Sequence, residues 1–186
     1  MKRVSVAGKS AISLAVAMAF SILPFGDVSS HATTDGVALV NLHQTFTDPA
    51  GSIVITGIIG DYGSVVGADL KGNLSQKSPT PAVLFKLKKG TILVNTAEMN
   101  KALAVAPAVQ NDTCSFSVSG KTLTLPIIKG TGAYKAITGK FNASVASGGI
   151  TPTLTSGVNK GKCDFSNKYP PVASFFTLIA SGAVSY

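Results

Sequence analysis

The feature of the sequence that most constrains the fold is a two-residue alternation of apolar and polar side chains in short segments. It is clear at 38–42, at 141–145 and again at 176–180. This period predicts strands with one buried face, because successive side chains of a strand point to opposite sides. Gly, Pro, Asn and Ser separate the segments. Eight or nine such strands and almost no helical pattern predict a single all-β domain, either an antiparallel barrel or a sandwich.

Local signals in the middle of the chain predict two hairpins and a helix. Segments 83–87 and 91–95 alternate on either side of a Lys-Gly turn and predict the first hairpin. Ser119-Gly120 predicts the turn of the second. Residues 96–104 form the one segment with a helical pattern, for which Thr96 is the expected N-cap.

The first 32 residues have the composition of a secretory signal peptide. A basic start is followed by 15 uncharged residues at 11–25, and Ser30-His31-Ala32 suits cleavage after Ala32. The uncharged run is shorter than the roughly 20 residues that a spanning helix needs, and an N-terminal membrane anchor stays open as the alternative. The sequence therefore predicts a signal peptide at 1–32, a β-barrel domain at 33–186, and an exported protein that is extracellular or periplasmic.

Cys114 and Cys163 are the two cysteines of the chain. An oxidising compartment favours a disulfide bond between them, and two free buried thiols are the alternative. Cys114 is in step with Phe116, so its sulfur is expected to point into the core. Two cysteines and His43 without CxxC spacing are too few for a closed metal site. We therefore predict no metal and no cofactor.

The charge of the predicted mature chain is positive and is carried by lysine alone. Without residues 1–32 the chain has 13 Lys, 7 acidic residues and no Arg, a net charge of +6. Arg supplies the planar fork that reads phosphate and guanine, so nucleic acid is not an expected partner. A solvated cationic surface accounts for the lysines, and attraction to an anionic cell-surface polymer is the sharper alternative.

Few residues offer catalytic chemistry. His43 is the single histidine after residue 32, no G-x-S-x-G motif occurs, and no catalytic residue is assigned. The spacing G-x-Y-x4-G occurs twice, around Tyr62 and around Tyr134, and could mark two similar barrel corners with a packed Tyr. Asp61, beside Tyr62 and near Asp69, is the best acidic cluster of the chain. Asp61, Tyr62 and Tyr134 are therefore the candidate ligand-binding residues.

The segment from Gly130 to Gly139, GTGAYKAITG, resembles a segment of dirigent and allene-oxide-cyclase-like barrels, in which a G-x-G-x-(Y/F) turn leads into a strand. The resemblance implies a single antiparallel barrel of about eight strands around an apolar cavity, often in a homo-oligomer. Dirigent proteins steer phenoxy-radical coupling with acidic residues, Tyr and Arg. None of those positions carries over, because Arg is absent after residue 32 and Glu98 is the one Glu.

The sequence is compatible with three functions. The sequence favours a secreted, non-catalytic barrel that binds a small apolar ligand or has an extracellular structural role. A small outer-membrane barrel is the first alternative, since the last strand alternates and ends on Tyr186. A cyclase or isomerase acting in the barrel cavity is the second.

Overall fold

The computed structural model describes residues 34–45, 47–166 and 168–186. The predicted signal peptide at 1–32 lies outside the described residues. The described chain contains one short helix, and its elements are β1 (Asp35–Thr45), β2 (Asp48–Gly57), β3 (Asp61–Ala68), β4 (Ala82–Leu87), β5 (Gly90–Asn95), α1 (Ala97–Leu103), β6 (Ala108–Gln110), β7 (Ser115–Gly132), β8 (Thr138–Ile150) and β9 (Ala173–Ser185).

Eight of these strands close an antiparallel barrel, which confirms the predicted fold class. Hydrogen bonding follows the order β5-β4-β3-β2-β1-β9-β8-β7, and β5 pairs with β7 to complete the ring. The extra strand β6 pairs with the start of β7. The barrel has two ends. We call the end where β1 begins and β9 ends the sealed end, and the end where β1 ends and β9 begins the mouth.

The apolar side chains of the alternating segments fill the barrel. Ala38, Val40 and Leu42 of β1 are at most 4% exposed, whereas Leu39 and Asn41 between them are exposed on the outer face. The inward residues of β8 and β9 continue this core; they are Phe141, Ala143, Val145, Leu178, Ala180 and Val184. Burial of each large apolar side chain contributes about 1.5–3 kcal/mol to folding. The barrel is thus held together mainly by its apolar interior.

The hairpin at Lys89-Gly90 is confirmed by the pairing of β4 with β5, but the hairpin predicted at Ser119-Gly120 is wrong. β7 is 18 residues long and continues through this dipeptide. β8 pairs with β7 both before and after the dipeptide. The Ser-Gly signal marks a β-bulge instead, where the register shifts and Thr122 has a φ of 59°. Gly and positive φ serve a bulge as well as a turn, so the local sequence did not distinguish them.

Helix α1 packs on β7 at this bulge. A Cβ atom on Gly120 would lie 2.7 Å from the Ala102 Cβ, so the glycine lets the helix approach the strand. Glu98 Oε2 accepts a 2.6 Å hydrogen bond from the Thr124 N–H. Thr96 is the N-cap residue, as predicted, but its side chain makes no capping hydrogen bond. Asn95 Oδ1 instead accepts the Ala97 N–H at 2.8 Å, while the Thr96 hydroxyl donates to the Thr80 carbonyl at 2.7 Å.

The disulfide between Cys114 and Cys163 is present, with Cα atoms 5.1 Å apart. It joins the residue before β7 to the connection between β8 and β9. The expectation that the Cys114 sulfur points into the core is wrong, because Cys114 is half-buried and has a φ of 51°. This conformation puts the residue outside the strand alternation that the prediction assumed.

Candidate functional site

Asp61 and Tyr134, two of the sequence-predicted residues, meet at the sealed end of the barrel. Asp61 begins β3, and Tyr134 lies in the connection between β7 and β8. The Tyr134 hydroxyl donates a 2.7 Å hydrogen bond to Asp61 Oδ2. Tyr134 is fully buried and Asp61 is 6% exposed. The pair therefore joins two connections that are distant in sequence, and it is largely shielded from water.

The Asp61 carboxylate also holds the turn between β4 and β5. It accepts the backbone N–H groups of Lys89 at 2.9 Å and Lys88 at 3.3 Å, as well as that of Tyr62 at 2.8 Å. The Lys89 ammonium reaches the Gly60 carbonyl at 3.2 Å. One carboxylate thus ties three connections of the barrel together. Such a buried charge is tolerated because hydrogen-bond donors surround it.

Tyr186 completes the sealed end. Its ring packs edge-on against the Tyr134 ring, with centroids 5.4 Å apart, and its hydroxyl donates to the Ile58 carbonyl at 2.8 Å. A Cβ atom on Gly130 would lie 2.1 Å from the Tyr134 carbonyl oxygen. The Gly-rich segment that carries the family resemblance is therefore needed here to let the chain fold back over the barrel end.

The surroundings shift the pKa of both members of the pair. Burial raises the pKa of Asp61, but hydrogen bonds from Tyr134 and from the N–H groups of Lys89, Tyr62 and Lys88 outweigh it and leave the pKa below its usual value. Burial, followed by the hydrogen bond to Asp61, raises the pKa of Tyr134 well above its usual value of about 10. A general acid or base works best with a pKa near the operating pH. Both pKa values are shifted away from neutral pH. The pair is therefore suited to stabilising the barrel end.

Tyr62, the third candidate, lies apart from this pair. Its side chain is 58% exposed on the outer face of the barrel, where the Lys88 ammonium lies 5.4 Å from the ring centroid. The two G-x-Y-x4-G segments therefore do not form two similar packed corners. Tyr62 directly follows Asp61, and the strand alternation turns their side chains to opposite faces.

A cleft of about 830 Å³ opens at the mouth, between β3, β4, helix α1 and the connection at 75–80. Its apolar wall is formed by side chains that also pack against the barrel core, namely Val65, Val83, Met99, Leu103 and Phe176. Gln44 on β1 and Asn100 on α1 also line the cleft and add polar side chains. The cleft therefore continues the apolar surface of the barrel core to the open end of the barrel.

The helix and the connection opposite it are fastened to each other. The Thr80 carbonyl accepts hydrogen bonds from the Thr96 hydroxyl and from Asn100 Nδ2, both at 2.7 Å. The Thr96 N–H bonds to the Pro81 carbonyl at 3.1 Å. These bonds hold the two sides of the cleft at a fixed separation, which is the arrangement expected of a preformed ligand site.

The sequence-predicted candidates and the cleft are at opposite ends of the barrel. Asp61, Tyr62 and Tyr134 do not line it. The alternation placed Val83 and Phe176 on a buried face, but it gave no sign that they stand where the barrel opens. That position depends on where the helix and the 75–80 connection come to lie.

A second cleft of similar volume lies outside the barrel, across β1, β2, β8 and β9. Leu39, Val54 and Ile179 are each at least 50% exposed there, among uncharged residues such as Asn41 and Thr56. Its floor is the outer surface of the sheet. It therefore lacks the enclosure that helix α1 gives the mouth.

Two further searches covered the described residues. They include no group of three or more His, Cys, Asp or Glu side chains placed to hold a metal ion. Helix α1, the one helix of the described residues, does not have the length and hydropathy of a membrane-spanning segment.

No protein-family model matches the sequence, and no curated protein or solved structure matches it either.

Proposed function

We propose that this protein is exported and that its barrel binds a small, mainly apolar ligand in the mouth. The observation that carries the proposal is the 830 Å³ cleft whose apolar wall belongs to the barrel core. Small-molecule sites are typically concave, mostly apolar and about 300–1,000 Å³ in volume, and the mouths of β-barrels are common places for them. The mouth meets each of these criteria.

The residues around the cleft indicate the kind of ligand. Val65, Val83 and Phe176 favour an aliphatic or aromatic body. Gln44, Asn100 and the 75–80 connection provide polar groups at the rim, where one or two hydrogen bonds would fix the orientation of the ligand. Burial of the apolar body would supply most of the affinity, at about 25 cal/mol for each Å² removed from water.

The experiment uses a neutral probe whose fluorescence rises in apolar surroundings, N-phenyl-1-naphthylamine. Ala104 lines the cleft at the end of helix α1, and Ala97 begins the same helix without lining it. Both alanines are exposed, so a phenyl group at either position causes little strain in the core. We expect Ala104→Phe to weaken probe binding about tenfold and Ala97→Phe to leave it unchanged. Equal binding by both variants would place the probe elsewhere and refute the mouth as the site.

Export is supported by the basic start, the apolar run at 11–25 and the small residues before position 33. The Cys114–Cys163 bond is compatible with an oxidising compartment. The intact mass of protein recovered from the medium or periplasm should correspond to residues 33–186 with two fewer hydrogens than the dithiol form. Recovery of a chain that keeps 1–32, in the cytosol alone, would contradict this part of the proposal.

The other functions remain predictions with less support. In outer-membrane barrels the interior is polar, whereas the inward side chains here are apolar. An enzyme of the cyclase or isomerase type would need reactive groups in the cleft, and Asp61 and Tyr134 lie at the opposite end. The resemblance to dirigent and allene-oxide-cyclase-like barrels, the homo-oligomer and the anionic cell-surface polymer also stay predictions.

A further inference from the structure

Two leucines lie exposed on the connection between β3 and β4, which spans residues 69–81. Leu70 is 51% exposed and Leu74 is 64% exposed. One exposed leucine is ordinary on a protein surface. Two of them on the same short connection give it an apolar surface that the barrel does not cover.

The turn that carries these leucines is fixed by hydrogen bonds. The Asp69 carboxylate accepts the N–H groups of Lys71 at 2.8 Å and Asn73 at 2.9 Å, and the Asn73 side-chain amide at 2.8 Å. Leu74 then forms an isolated β-bridge with Ala68, the last residue of β3. The two leucines are therefore exposed on a turn of defined shape.

The turn also lies against β5 and β7. A Cβ atom on Gly72 would lie 3.4 Å from Lys129 Cε and 3.6 Å from Leu93 Cδ2. The Lys129 ammonium donates a 2.6 Å hydrogen bond to the Lys71 carbonyl. Leu93, which the turn covers, is fully buried in a small apolar cluster separate from the barrel core. The wall of the barrel thus supports the turn.

This side of the barrel carries an excess of positive charge. Its exposed lysines include Lys71 and Lys77 on the connection, Lys86 on β4 and Lys129 on β7. Asp69 is the one acidic residue of the connection, β4, β5 and β7. Strands β1 and β9, which stand opposite β5 and β4 in the ring, contain no lysine. Exposed leucines and an excess of lysine therefore occur together on one side of the barrel.

The combination of charge and apolar surface distinguishes among anionic partners. An acidic polysaccharide or a nucleic acid would bind the lysines but would leave the leucines in water. A neutral bilayer would accept the leucines without using the charge. An anionic phospholipid surface suits both, because its headgroups attract lysine ammonium groups and the region below them accepts apolar side chains.

We propose that the β3–β4 connection docks this protein on an anionic phospholipid membrane. Leu70 and Leu74 enter the boundary between headgroups and acyl chains, and the lysines of this side bind lipid phosphates. Residues 75–80, which line the mouth, directly follow Leu74, so docking brings the rim of the mouth to the lipid. The inference does not need a ligand in the mouth, because membrane binding and probe binding are separate measurements.

The test is sedimentation with vesicles of phosphatidylcholine alone or with about one-third phosphatidylglycerol. The protein is used as recovered after export, and every variant keeps the N-terminus of the parent, so residues 1–32 cannot cause a difference between variants. The parent should bind the mixed vesicles about tenfold or more above the neutral ones. Added salt should weaken this binding, because it screens the charges.

The leucines are tested against a matched leucine on another side of the barrel. Leu74→Ser removes the more exposed member of the pair and should weaken binding to the mixed vesicles about tenfold. Leu39→Ser is the control, since Leu39 is 52% exposed on β1, which contains no lysine; this variant should bind as the parent does. Both side chains are exposed, so neither change disturbs the core.

The charge is tested by two double variants that each remove two lysines. Lys71→Gln with Lys77→Gln should weaken binding to the mixed vesicles about tenfold or more, because both lysines lie on the docking connection. Lys160→Gln with Lys162→Gln makes the same change of net charge in the connection between β8 and β9. The second pair should leave binding within about twofold of the parent, since salt screens charges away from the contact.

Three results would overturn the proposal. The first is equal binding by Leu74→Ser and Leu39→Ser, and the second is no preference for the mixed vesicles. Equal losses in the two lysine variants would be the third, because attraction would then follow net charge alone. Heparin and DNA are titrated in parallel. Binding of either that is lost in Lys71→Gln with Lys77→Gln, without vesicle binding, would assign this surface to a soluble polyanion instead.

Discussion

Tyr134 donates a 2.7 Å hydrogen bond to Asp61 across a sequence separation of 73 residues. The bond connects the start of β3 with the loop between β7 and β8, and the same carboxylate holds the turn between β4 and β5. It therefore links strands on both sides of the β5–β7 seam that closes the barrel. The pair therefore ties together connections of the sealed end that are far apart in the sequence.

Tyr134→Phe should lower the free energy of unfolding by about 1–3 kcal/mol, because it removes a hydrogen bond to a buried charge and keeps the ring. The melting temperature should fall by roughly 2–10 °C in a domain of this size. Tyr62→Phe is the matched control, since the Tyr62 side chain is exposed, and it should change stability by less than about 0.5 kcal/mol. Equal effects in urea titrations of the two variants would show that the buried bond contributes nothing.

The same pair predicts a loss of stability in alkali. The pKa of Tyr134 is raised in the folded chain, so its contribution is complete below the unfolded-state pKa of about 10 and is lost as the pH rises above it. Urea midpoints measured from pH 8 to 11.5 should therefore fall more steeply for the parent chain than for Tyr134→Phe. Parallel curves for the two proteins would contradict the raised pKa.

Gly120 should be intolerant of a side chain because of Ala102. Gly120→Ala places a methyl group 2.7 Å from the Ala102 Cβ, and such overpacking costs about 1–3 kcal/mol. Ala102→Gly alone should cost about 1 kcal/mol through helix propensity. The double variant should recover part of the loss, which appears as a coupling energy in a double-mutant cycle. Strict additivity would mean that the helix does not pack on the bulge.

Removal of the disulfide should destabilise the chain without opening the barrel core. The Cys114–Cys163 bond closes a separation of 49 residues, for which the chain-entropy model gives about 3–4 kcal/mol. The bond lies at the mouth, apart from the buried side chains of the core. The double variant Cys114→Ser with Cys163→Ser should therefore unfold at lower urea concentration with native far-ultraviolet circular dichroism at zero urea. A loss of strand signal before any denaturant is added would show that the barrel itself requires the bond.

The alternation in the sequence was enough to predict strands, because a strand buries every second side chain wherever it stands in a sheet. It did not separate a bulge from a turn at Ser119-Gly120, since both accept the same residues. It also did not distinguish Tyr62 from Tyr134 within matching G-x-Y-x4-G segments. One side chain is exposed and the other is fully buried, and that difference depends on which face of its own strand or loop each residue occupies.

The sequence by itself determined the all-β class, the apolar interior and the two cysteines that pair. The first two follow from the two-residue period of the side chains, which is a local property of the sequence. The third follows from the presence of two cysteines in the composition. The tertiary structure alone decided which end of the barrel is sealed, that Asp61 meets Tyr134, and that Val83 and Phe176 stand at an open mouth. The physical reason is that ring closure and loop packing set these contacts, and both act between residues far apart in the chain.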